Sequence, residues 1–307
     1  MQIPALTGSE GVEKAMRWFA VYTAACVVLF SKPLLDLIRL SLSSSEYSHI
    51  LVVPAISAAL IYAEREAIFR HADSASKSRA SLILVAFAGA VSALILLDNA
   101  LLNLSDGFSL RFSILVFVVL LWCGFAWLFG GRTFRAGLFP LALLLLMLPP
   151  PGFLLDRVIV WLQWGSADVA NWLFRLTMTP SVRNGLTFVL PGVTIEVAPE
   201  CSGIRSSIAL GITCLAACYL FLRMDWTRAA FMLAVLPVVV LKNGIRIATL
   251  SLLAIRVDPS FLFGRLHHDG GIVFFAVGLA MMLGLLRGLQ RIERWVDARQ
   301  PMSLVHN

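Results

Sequence analysis

Charged residues are scarce in this sequence. Asp, Glu, Lys and Arg make up 14% of its 307 residues, whereas hydrophobic residues make up 59%. Because a soluble domain contains about 25% charged residues, this composition excludes an ordinary soluble domain. Several apolar runs are long enough to cross a bilayer as helices, so the sequence predicts an integral membrane protein. The net charge of +7 does not indicate a nucleic-acid partner, since the basic residues lie in short segments between the apolar runs.

Cysteine is also rare, with five residues in the chain. Cys26, Cys123, Cys214 and Cys218 lie inside apolar runs, where a thiol is inert. Their spacing indicates no disulfide framework, and no set of His, Cys and acidic residues has the spacing of a metal site. We therefore expect no metal and no other cofactor. Cys201 differs from the other four because it lies at a polar boundary.

The apolar runs predict an all-α membrane protein with about eight spanning helices. The predicted spans are residues 16–40, 49–63, 80–97, 109–129, 134–149, 201–222, 229–247 and 270–286. Lys32-Pro33 interrupts the first span, so its end is expected near Phe30. No separate soluble part is evident, and the sequence predicts one membrane domain over residues 1–307, with the candidate catalytic motifs in 197–271.

Residues 150–200 do not form a simple span. Residues 153–174 have a helical pattern that polar residues interrupt, and they include three tryptophans, Trp161, Trp164 and Trp172. Because Trp favours the membrane–water interface, we expect an amphipathic helix lying at the outer interface. A ninth span is the alternative, and it would invert the sidedness of everything that follows.

Two turn signals follow this helix. Asn184-Gly185 and Pro191-Gly192 separate runs that are rich in β-branched residues. This pattern predicts a short β-hairpin before the sixth span. The hairpin is expected on the outer side of the membrane, from which it would lead the chain to Cys201.

The distribution of basic residues predicts which side faces the cytoplasm. With both termini in the cytoplasm, the segments on that side carry a net charge of +6, whereas the other segments and the membrane ends carry +1. Cytoplasmic loops are enriched in Lys and Arg, so the counts favour this orientation. It places Cys201 at the outer face.

The stretch from Val197 to Arg205 combines a thiol with charged neighbours at the start of an apolar run. Pro199 is tolerated just before a helix, so the sequence predicts that Cys201 lies in the first turn of the sixth span, where the nucleophilic thiolate is favoured. The helix dipole favours Glu200 at this position, and Arg205 would share the helix face of Cys201. A small, buried and inert cysteine is the alternative interpretation.

A second polar cluster, Lys242-Asn243-Gly244-Ile245-Arg246, interrupts the apolar run of the seventh span near its outer end. Ionisable residues at membrane depth are costly, which indicates a function. For Lys242 the alternative is snorkelling of the long side chain to the interface. Asn243 and Gly244 allow either a close backbone approach or a helix end beside Arg246, which is the candidate to stabilise an oxyanion.

A third cluster, His267-His268-Asp269-Gly270-Gly271, directly precedes the eighth span. Histidine is the usual general base at neutral pH, and a base beside a cysteine is an arrangement for nucleophilic catalysis. Adjacent histidines rarely chelate one ion together, so a metal site is the weaker hypothesis. The alternative is a pair of interfacial loop histidines without a chemical role.

Three motifs occur in order on the same predicted membrane face. They are Pro199-Glu200-Cys201-Ser202-Gly203-Ile204-Arg205-Ser206, Asn243-Gly244-Ile245-Arg246 and His267-x-x-Gly270-Gly271. Together they resemble the exosortase and archaeosortase family. Glu46-Tyr47-Ser48-His49, followed by Leu51-Val52-Val53-Pro54, resembles that family's outer loop after the first helix, so the resemblance covers about residues 46–286.

The resemblance implies a membrane cysteine peptidase or transpeptidase of the bacterial inner membrane. Such an enzyme cleaves the C-terminal sorting signal of exported proteins, of the PEP-CTERM type, and passes them to a surface acceptor. By the resemblance Cys201 is the nucleophile, Arg246 stabilises the oxyanion and His267 is the base, with His268 as the alternative base. Supporting roles are expected for Asn243, Glu200 and Arg205, and Arg205 could instead hold Glu200 in an ion pair.

Two other function classes fit parts of the pattern. A membrane transport or assembly protein for an exopolysaccharide or lipid intermediate would also carry intramembrane charges. An intramembrane serine protease fits less well, because Ser202-Gly203 lacks the surrounding Gly-x-Ser-x-Gly pattern.

Overall fold

The structure, a computed structural model, describes residues 9–70, 72, 106–262 and 271–299. The chain divides into two compact units, Met1–Pro149 and Pro150–Asn307. The single domain expected from the sequence therefore stays a prediction. The predicted third span, 80–97, lies outside the described residues.

The first unit is helical throughout its described residues. The helices are α1 Ser9–Leu29, α2 Ser31–Ser43, α3 Val53–Ala63, α4 Arg65–Phe69, α5 Asp106–Phe129, α6 Gly131–Ala136 and α7 Leu138–Leu143, with 3₁₀ turns at Ser45–Leu51 and Leu144–Met147. The predicted break in the first span is confirmed. Phe30 separates α1 from α2, and the two helices bend by 77°.

Aromatic packing joins α1 to α5. The Phe19 ring meets the Phe125 ring edge-on at 5.5 Å between centroids, and the Tyr22 hydroxyl donates a hydrogen bond to the Leu120 carbonyl at 2.9 Å. Gly124 permits this approach, because a Cβ there would lie 2.2 Å from the Tyr22 ring.

The predicted fifth span is not one continuous helix. Gly137 separates α6 from α7, and the chain then tightens into the 3₁₀ turn Leu144–Met147. Leu148 is extended, as expected for a residue that precedes a proline. Pro149-Pro150-Pro151 then ends the segment, as the sequence predicted.

The second unit combines helices with a small sheet. Its elements are α8 Gly152–Leu176, β1 Val182–Asn184, β2 Thr187–Leu190, β3 Val193–Glu196, a 3₁₀ turn at Pro199–Ser202, α9 Ile204–Phe221, α10 Asp225–Arg256, a 3₁₀ turn at Pro259–Leu262 and α11 Gly271–Arg299. The helix α10 continues nine residues beyond the predicted end at 247, and α11 continues beyond the predicted 286.

The predicted hairpin is a three-stranded antiparallel sheet in the order β1-β2-β3. Asn184-Gly185 and Pro191-Gly192 both form the predicted turns, with φ of 65° at Gly185 and 78° at Gly192. Phe188 of β2 is fully buried and meets Phe174 of α8 edge-on at 5.4 Å. This contact anchors the sheet to α8, and the location of the sheet outside the membrane stays a prediction.

The helix α8 runs alongside α10 in the same direction. Gly165 lies against Val240, and Arg256 donates a hydrogen bond to the Thr177 carbonyl at 3.5 Å. The helical segment was predicted correctly within two residues at each end. The helix α8 therefore packs along the length of α10 and does not cross it at an angle. The location of α8 at the outer membrane interface stays a prediction.

The helix α9 runs antiparallel to α10. Near the start of α9, Ser206 accepts a hydrogen bond from Lys242, whereas near its end Cys218 Sγ lies 3.8 Å from the Arg228 carbonyl oxygen. The N-terminus of α9 therefore lies at the same end of the second unit as the C-terminal part of α10.

The helix α11 is also antiparallel to α10. Gly278 lies against Lys242, and toward the other end of α11 the buried Glu293 carboxylate accepts backbone hydrogen bonds from Arg223 at 3.0 Å and Met224 at 2.9 Å. Glu293 thereby caps the N-terminus of α10, where the helix leaves N–H groups unsatisfied. The N-termini of α9 and α11 thus lie at one end of the second unit, and we call this the motif end.

Among the described residues, five helical segments are long and apolar enough to cross a membrane by themselves. The number rises to seven if each of two bent pairs, α1 with α2 and 138–147 with α8, forms one span. The chain is therefore a multi-pass membrane protein, and the number of eight spans stays a prediction.

Candidate functional site

Cys201 lies in the 3₁₀ turn Pro199–Ser202 and not in the first turn of α9. Gly203 follows with a φ of 72°, and α9 begins at Ile204. The predicted position of Cys201 within the helix is therefore wrong, because a left-handed residue cannot continue a right-handed helix. Ser202 is fully buried, and its Oγ accepts a hydrogen bond from the Ile204 N–H at 3.3 Å, which satisfies one of the N–H groups that the start of α9 leaves without a helical partner.

This break changes the geometry of the neighbouring charges. Arg205 lies in the first turn of α9 with an exposed side chain. It does not share a helix face with Cys201, since four-residue spacing aligns side chains only within one continuous helix. Glu200 belongs to the same 3₁₀ turn as Cys201. The supporting roles expected for Arg205 and Glu200 stay predictions.

Gly203 makes a close contact between this turn and α10. A Cβ at position 203 would lie 2.7 Å from Asn243 Oδ1. Asn243 is buried, and its Nδ2 donates a hydrogen bond to the buried Ser166 Oγ of α8 at 3.0 Å. Asn243 therefore connects the turn after Cys201 with both α8 and α10.

Lys242 strengthens the same junction. Its side chain is 1% exposed, and its ammonium group donates a hydrogen bond to the Ser206 hydroxyl in the first turn of α9. Ser206 in turn donates to the Gly203 carbonyl at 3.0 Å. Snorkelling, the alternative considered for Lys242, does not occur, because its side chain is directed into the helical bundle and not to an interface.

A second buried amide holds the chain before the turn. Gln163 of α8 donates a hydrogen bond from Nε2 to the Val197 carbonyl at 2.7 Å, and both residues are buried. Val197 also donates its N–H to the Leu186 carbonyl at 3.0 Å. Hydrogen bonds at both its N–H and its carbonyl therefore fix Val197, which lies in the segment that leads from the sheet to Cys201.

Arg246 lies one helical turn beyond Lys242 in α10, and its side chain is half-buried. One turn rises about 5.4 Å, so Arg246 lies about one turn nearer the motif end than Lys242, the partner of Ser206. Gly244 does not end the helix. A Cβ there would lie 2.4 Å from Val169 Cγ1 of α8, so Gly244 serves the close approach that the sequence offered as its other interpretation.

His267 and His268 lie outside the described residues. The chain enters their segment after the 3₁₀ turn Pro259–Leu262, which Asp258 precedes, and the Asp258 carboxylate accepts a backbone hydrogen bond from Ser260 at 2.7 Å. Hydrogen bonds from the Ser260 side chain and backbone lower the pKa of Asp258. The chain leaves the segment at Gly271, the first residue of α11, which lies at the motif end.

The Glu46–His49 motif belongs to the first unit. It forms the 3₁₀ turn Ser45–Leu51 between α2 and α3, and His49 Nδ1 lies 3.0 Å from the Glu46 carbonyl oxygen. No group of three His, Cys, Asp or Glu side chains within the described ranges could hold a metal ion.

The buried polar residues that position the motif end were not predicted from the sequence. Gln163 and Ser166 are among the polar residues that interrupt the helical pattern of the predicted interfacial helix, and Ser206 was named only as the last residue of the first motif. A signal was available, because Gln163, Ser166 and Ala170 are spaced at three and four residues. This is the period of one helix face, and its residues are either small or able to form hydrogen bonds.

The fold and this cluster define a multi-pass membrane protein with buried polar groups at one end of a helical unit. Residues 39–284 match the model of the transmembrane exosortase family, and the chain belongs to that family. Its members are sorting enzymes of the cysteine transpeptidase class. The resemblance found in the motifs is thereby confirmed. No curated protein and no solved structure matches the chain.

Replacement of Gly203 by alanine is expected to impair both stability and activity. The new Cβ would collide with Asn243 in addition to straining a backbone with φ of 72°. Gly192→Ala is the matched control, because φ is 78° there and a Cβ would meet nothing within 4 Å. The control should lose about 1–2 kcal/mol of stability from backbone strain alone, and Gly203→Ala should lose more. Thermal unfolding in detergent measures this difference, and equal losses would contradict the role of the contact.

Proposed function

We propose that this protein is a membrane cysteine transpeptidase that cleaves C-terminal sorting signals of the PEP-CTERM type from exported proteins. In this proposal Cys201 is the nucleophile, Arg246 stabilises the oxyanion and His267 transfers protons, with His268 as the alternative base. The exported protein is then joined to a surface acceptor. The site faces the outside of the bacterial inner membrane.

The observation that carries this proposal is the shared motif end of the second unit. The turn that contains Cys201 precedes the N-terminus of α9, and Arg246 lies in the part of α10 that runs to this end. The helix α11 begins at the same end, directly after the histidine segment. The turn that contains Cys201, the part of α10 with Arg246 and the start of α11, which follows the histidine motif in sequence, thus lie at one end of one compact unit, and this supports a catalytic constellation there.

The proposed chemistry is acyl transfer in two steps. The Cys201 thiolate attacks the carbonyl carbon of a substrate peptide bond, and Arg246 stabilises the negative oxygen of the tetrahedral intermediate. The C–N bond breaks as His267 gives a proton to the leaving amine, and a thioester remains. An acceptor amine or water then attacks the thioester, gives a proton to His267 and releases Cys201.

The buried polar cluster supports this chemistry by holding the backbone around the nucleophile. Gln163 fixes Val197 before the turn, whereas Asn243 and Lys242 fix Gly203 and Ser206 after it. Preorganisation of this kind keeps reacting groups in place without reorganisation during the reaction. The sidedness is supported by the net charge of +6 on the predicted cytoplasmic segments against +1 elsewhere.

A transport or assembly protein for an exopolysaccharide or lipid intermediate is the second candidate. Lys242 buried in a candidate span favours it, since transport pathways also contain ionisable residues. The two functions differ in whether they need the Cys201 thiol as a nucleophile. A transporter should retain its function in Cys201→Ser, because serine keeps the size and polarity but is a far weaker nucleophile.

A covalent intermediate tests the enzyme hypothesis. When the acceptor is depleted, a substrate–enzyme adduct should accumulate that hydroxylamine cleaves, because a cysteine acyl transfer passes through a thioester. The adduct should be absent in Cys201→Ala and present in Cys214→Ala, a matched control because Cys214 is buried inside α9. Gel mobility and mass spectrometry of the substrate measure it. Normal processing by Cys201→Ala would refute the enzyme function.

The role of Arg246 has a separate test. Arg246→Ala should lower the rate of adduct formation by roughly a hundredfold or more, as expected for loss of an oxyanion-stabilising group. Arg246→Lys should restore only part of the rate, because lysine lacks the planar guanidinium fork. Arg256→Ala, two to three turns further along α10 and exposed, is the control and should keep the normal rate. Equal rates for Arg246→Ala and Arg256→Ala would remove Arg246 from the mechanism.

A further inference from the structure

A polar cleft lies between α8 and the sheet, on a face of α8 that the proposed reaction does not use. Its volume is about 730 Å³. One wall is a stripe on α8 at helical spacing, Trp164, Asp168, Asn171 and Arg175. The facing wall is formed by alternate residues of the chain through β1, namely Thr179, Ser181, Arg183 and Gly185. The α8 face that contains Ser166 and Ala170 is instead buried in the protein.

One ion pair crosses this cleft. Arg183 Nη1 donates to Asp168 Oδ1 at 2.6 Å, and the Arg183 guanidinium also lies over the Trp164 ring at 5.6 Å. The pair neutralises Asp168, so the lining keeps a net charge of +1 from Arg175. Arg175 is exposed, and within the described part of the chain no residue accepts a hydrogen bond from its guanidinium.

An apolar groove continues from this cleft along α8. It has a volume of about 510 Å³ and is lined by Asp156, Arg157, Val160, Trp161 and Trp164, with almost entirely carbon surface. Trp164 belongs to both cavities, so the groove and the cleft adjoin at its ring. From 156 to 164 the groove follows about 12 Å of the helix axis, and the cleft lies further toward the motif end.

We propose that the cleft and the groove together form a binding site for a phospholipid. The phosphate binds Arg175 at the polar end, with Arg183 beside it, and an acyl chain lies along Val160 and Trp161. A guanidinium forms bidentate, charge-assisted hydrogen bonds with phosphate oxygens, and the net charge of +1 complements a phosphodiester. Tryptophan at the boundary between the two cavities suits the boundary between headgroup and acyl chain. The site is independent of the reaction proposed for Cys201.

The orientation of the two cavities supports a lipid over a soluble anion. The apolar groove lies along the N-terminal half of α8, whereas the polar cleft lies toward the motif end, so a bound lipid would have its headgroup near that end. A soluble phosphate would use the cleft alone and gain nothing from the groove. A ligand with both parts gains apolar burial and charge-assisted hydrogen bonds together.

The test uses the full-length protein, purified in detergent and stripped of lipid. Phosphatidylglycerol with two oleoyl chains should raise the unfolding temperature in a saturable manner, because a ligand that binds only the folded state stabilises it. Dioleoylglycerol lacks the phosphate and glycerol 3-phosphate lacks the chains, so neither should reproduce the shift at the same concentration. An equal shift with dioleoylglycerol, or one with glycerol 3-phosphate alone, would overturn the proposal in favour of a detergent-like or a free-anion site.

Variants locate the site. Arg175→Gln should weaken the apparent affinity for phosphatidylglycerol roughly tenfold to a hundredfold, the loss expected for charge-assisted hydrogen bonds. Arg175→Lys should lie between that variant and the native protein, and Trp161→Ala should also weaken binding. Arg291→Gln, the same change at an exposed position of α11, is the control. If Arg175→Gln and Arg175→Lys both bind as the native protein does, the cleft is not the lipid site.

Discussion

The close approach of Gly203 to Asn243 is the constraint on which the second unit depends. Only a residue without a Cβ fits against the Asn243 amide, and only glycine adopts its left-handed φ of 72° without strain. The contact ends the 3₁₀ turn that contains Cys201 and starts α9 at a fixed point. Two hydrogen bonds lie beside it, from Asn243 to Ser166 and from Lys242 to Ser206, and such polar contacts in a low-dielectric interior favour one arrangement of α8, α9 and α10.

The contacts that join Lys242 and Asn243 to the start of α9 also determine where Arg246 lies. Because Lys242 and Asn243 fix α10 against the start of α9, the next turn of α10 places Arg246 about 5.4 Å nearer the motif end than Lys242. Burial of the Lys242 side chain in a candidate span costs free energy, and a precise catalytic arrangement is a physical reason to retain such a group. At the opposite end of the unit, Glu293 caps α10 and ties α11 to the connection between α9 and α10.

Much of this architecture could be predicted from the sequence, because hydropathy and turn chemistry are local signals. The break near Phe30, the long fourth span, the two glycine turns of the sheet and the family itself were all predicted. The position of Cys201 relative to α9 was not, since a Pro-containing segment before an apolar run is compatible with either a helix or a 3₁₀ turn. The choice depends on the tertiary contact of Gly203 with Asn243. The roles of Gln163 and Ser166 depend on the packing of α8 against α10. Their spacing marks one face of α8, but it does not identify the segments that this face contacts.

The central claim is that the three motifs meet at one end of the second unit, and cysteine cross-linking tests it most directly. Cys201 would be retained while the other four cysteines are replaced by alanine, and single cysteines would be introduced at Ile272 and Val273 in the first turn of α11. A bismaleimide of about 10–15 Å should join Cys201 to at least one of them, since neighbouring helices lie about 8–10 Å apart. A cysteine at Arg291, about 30 Å further along α11, should not react with Cys201. Cross-linking to position 291 and not to 272 or 273 would contradict the account.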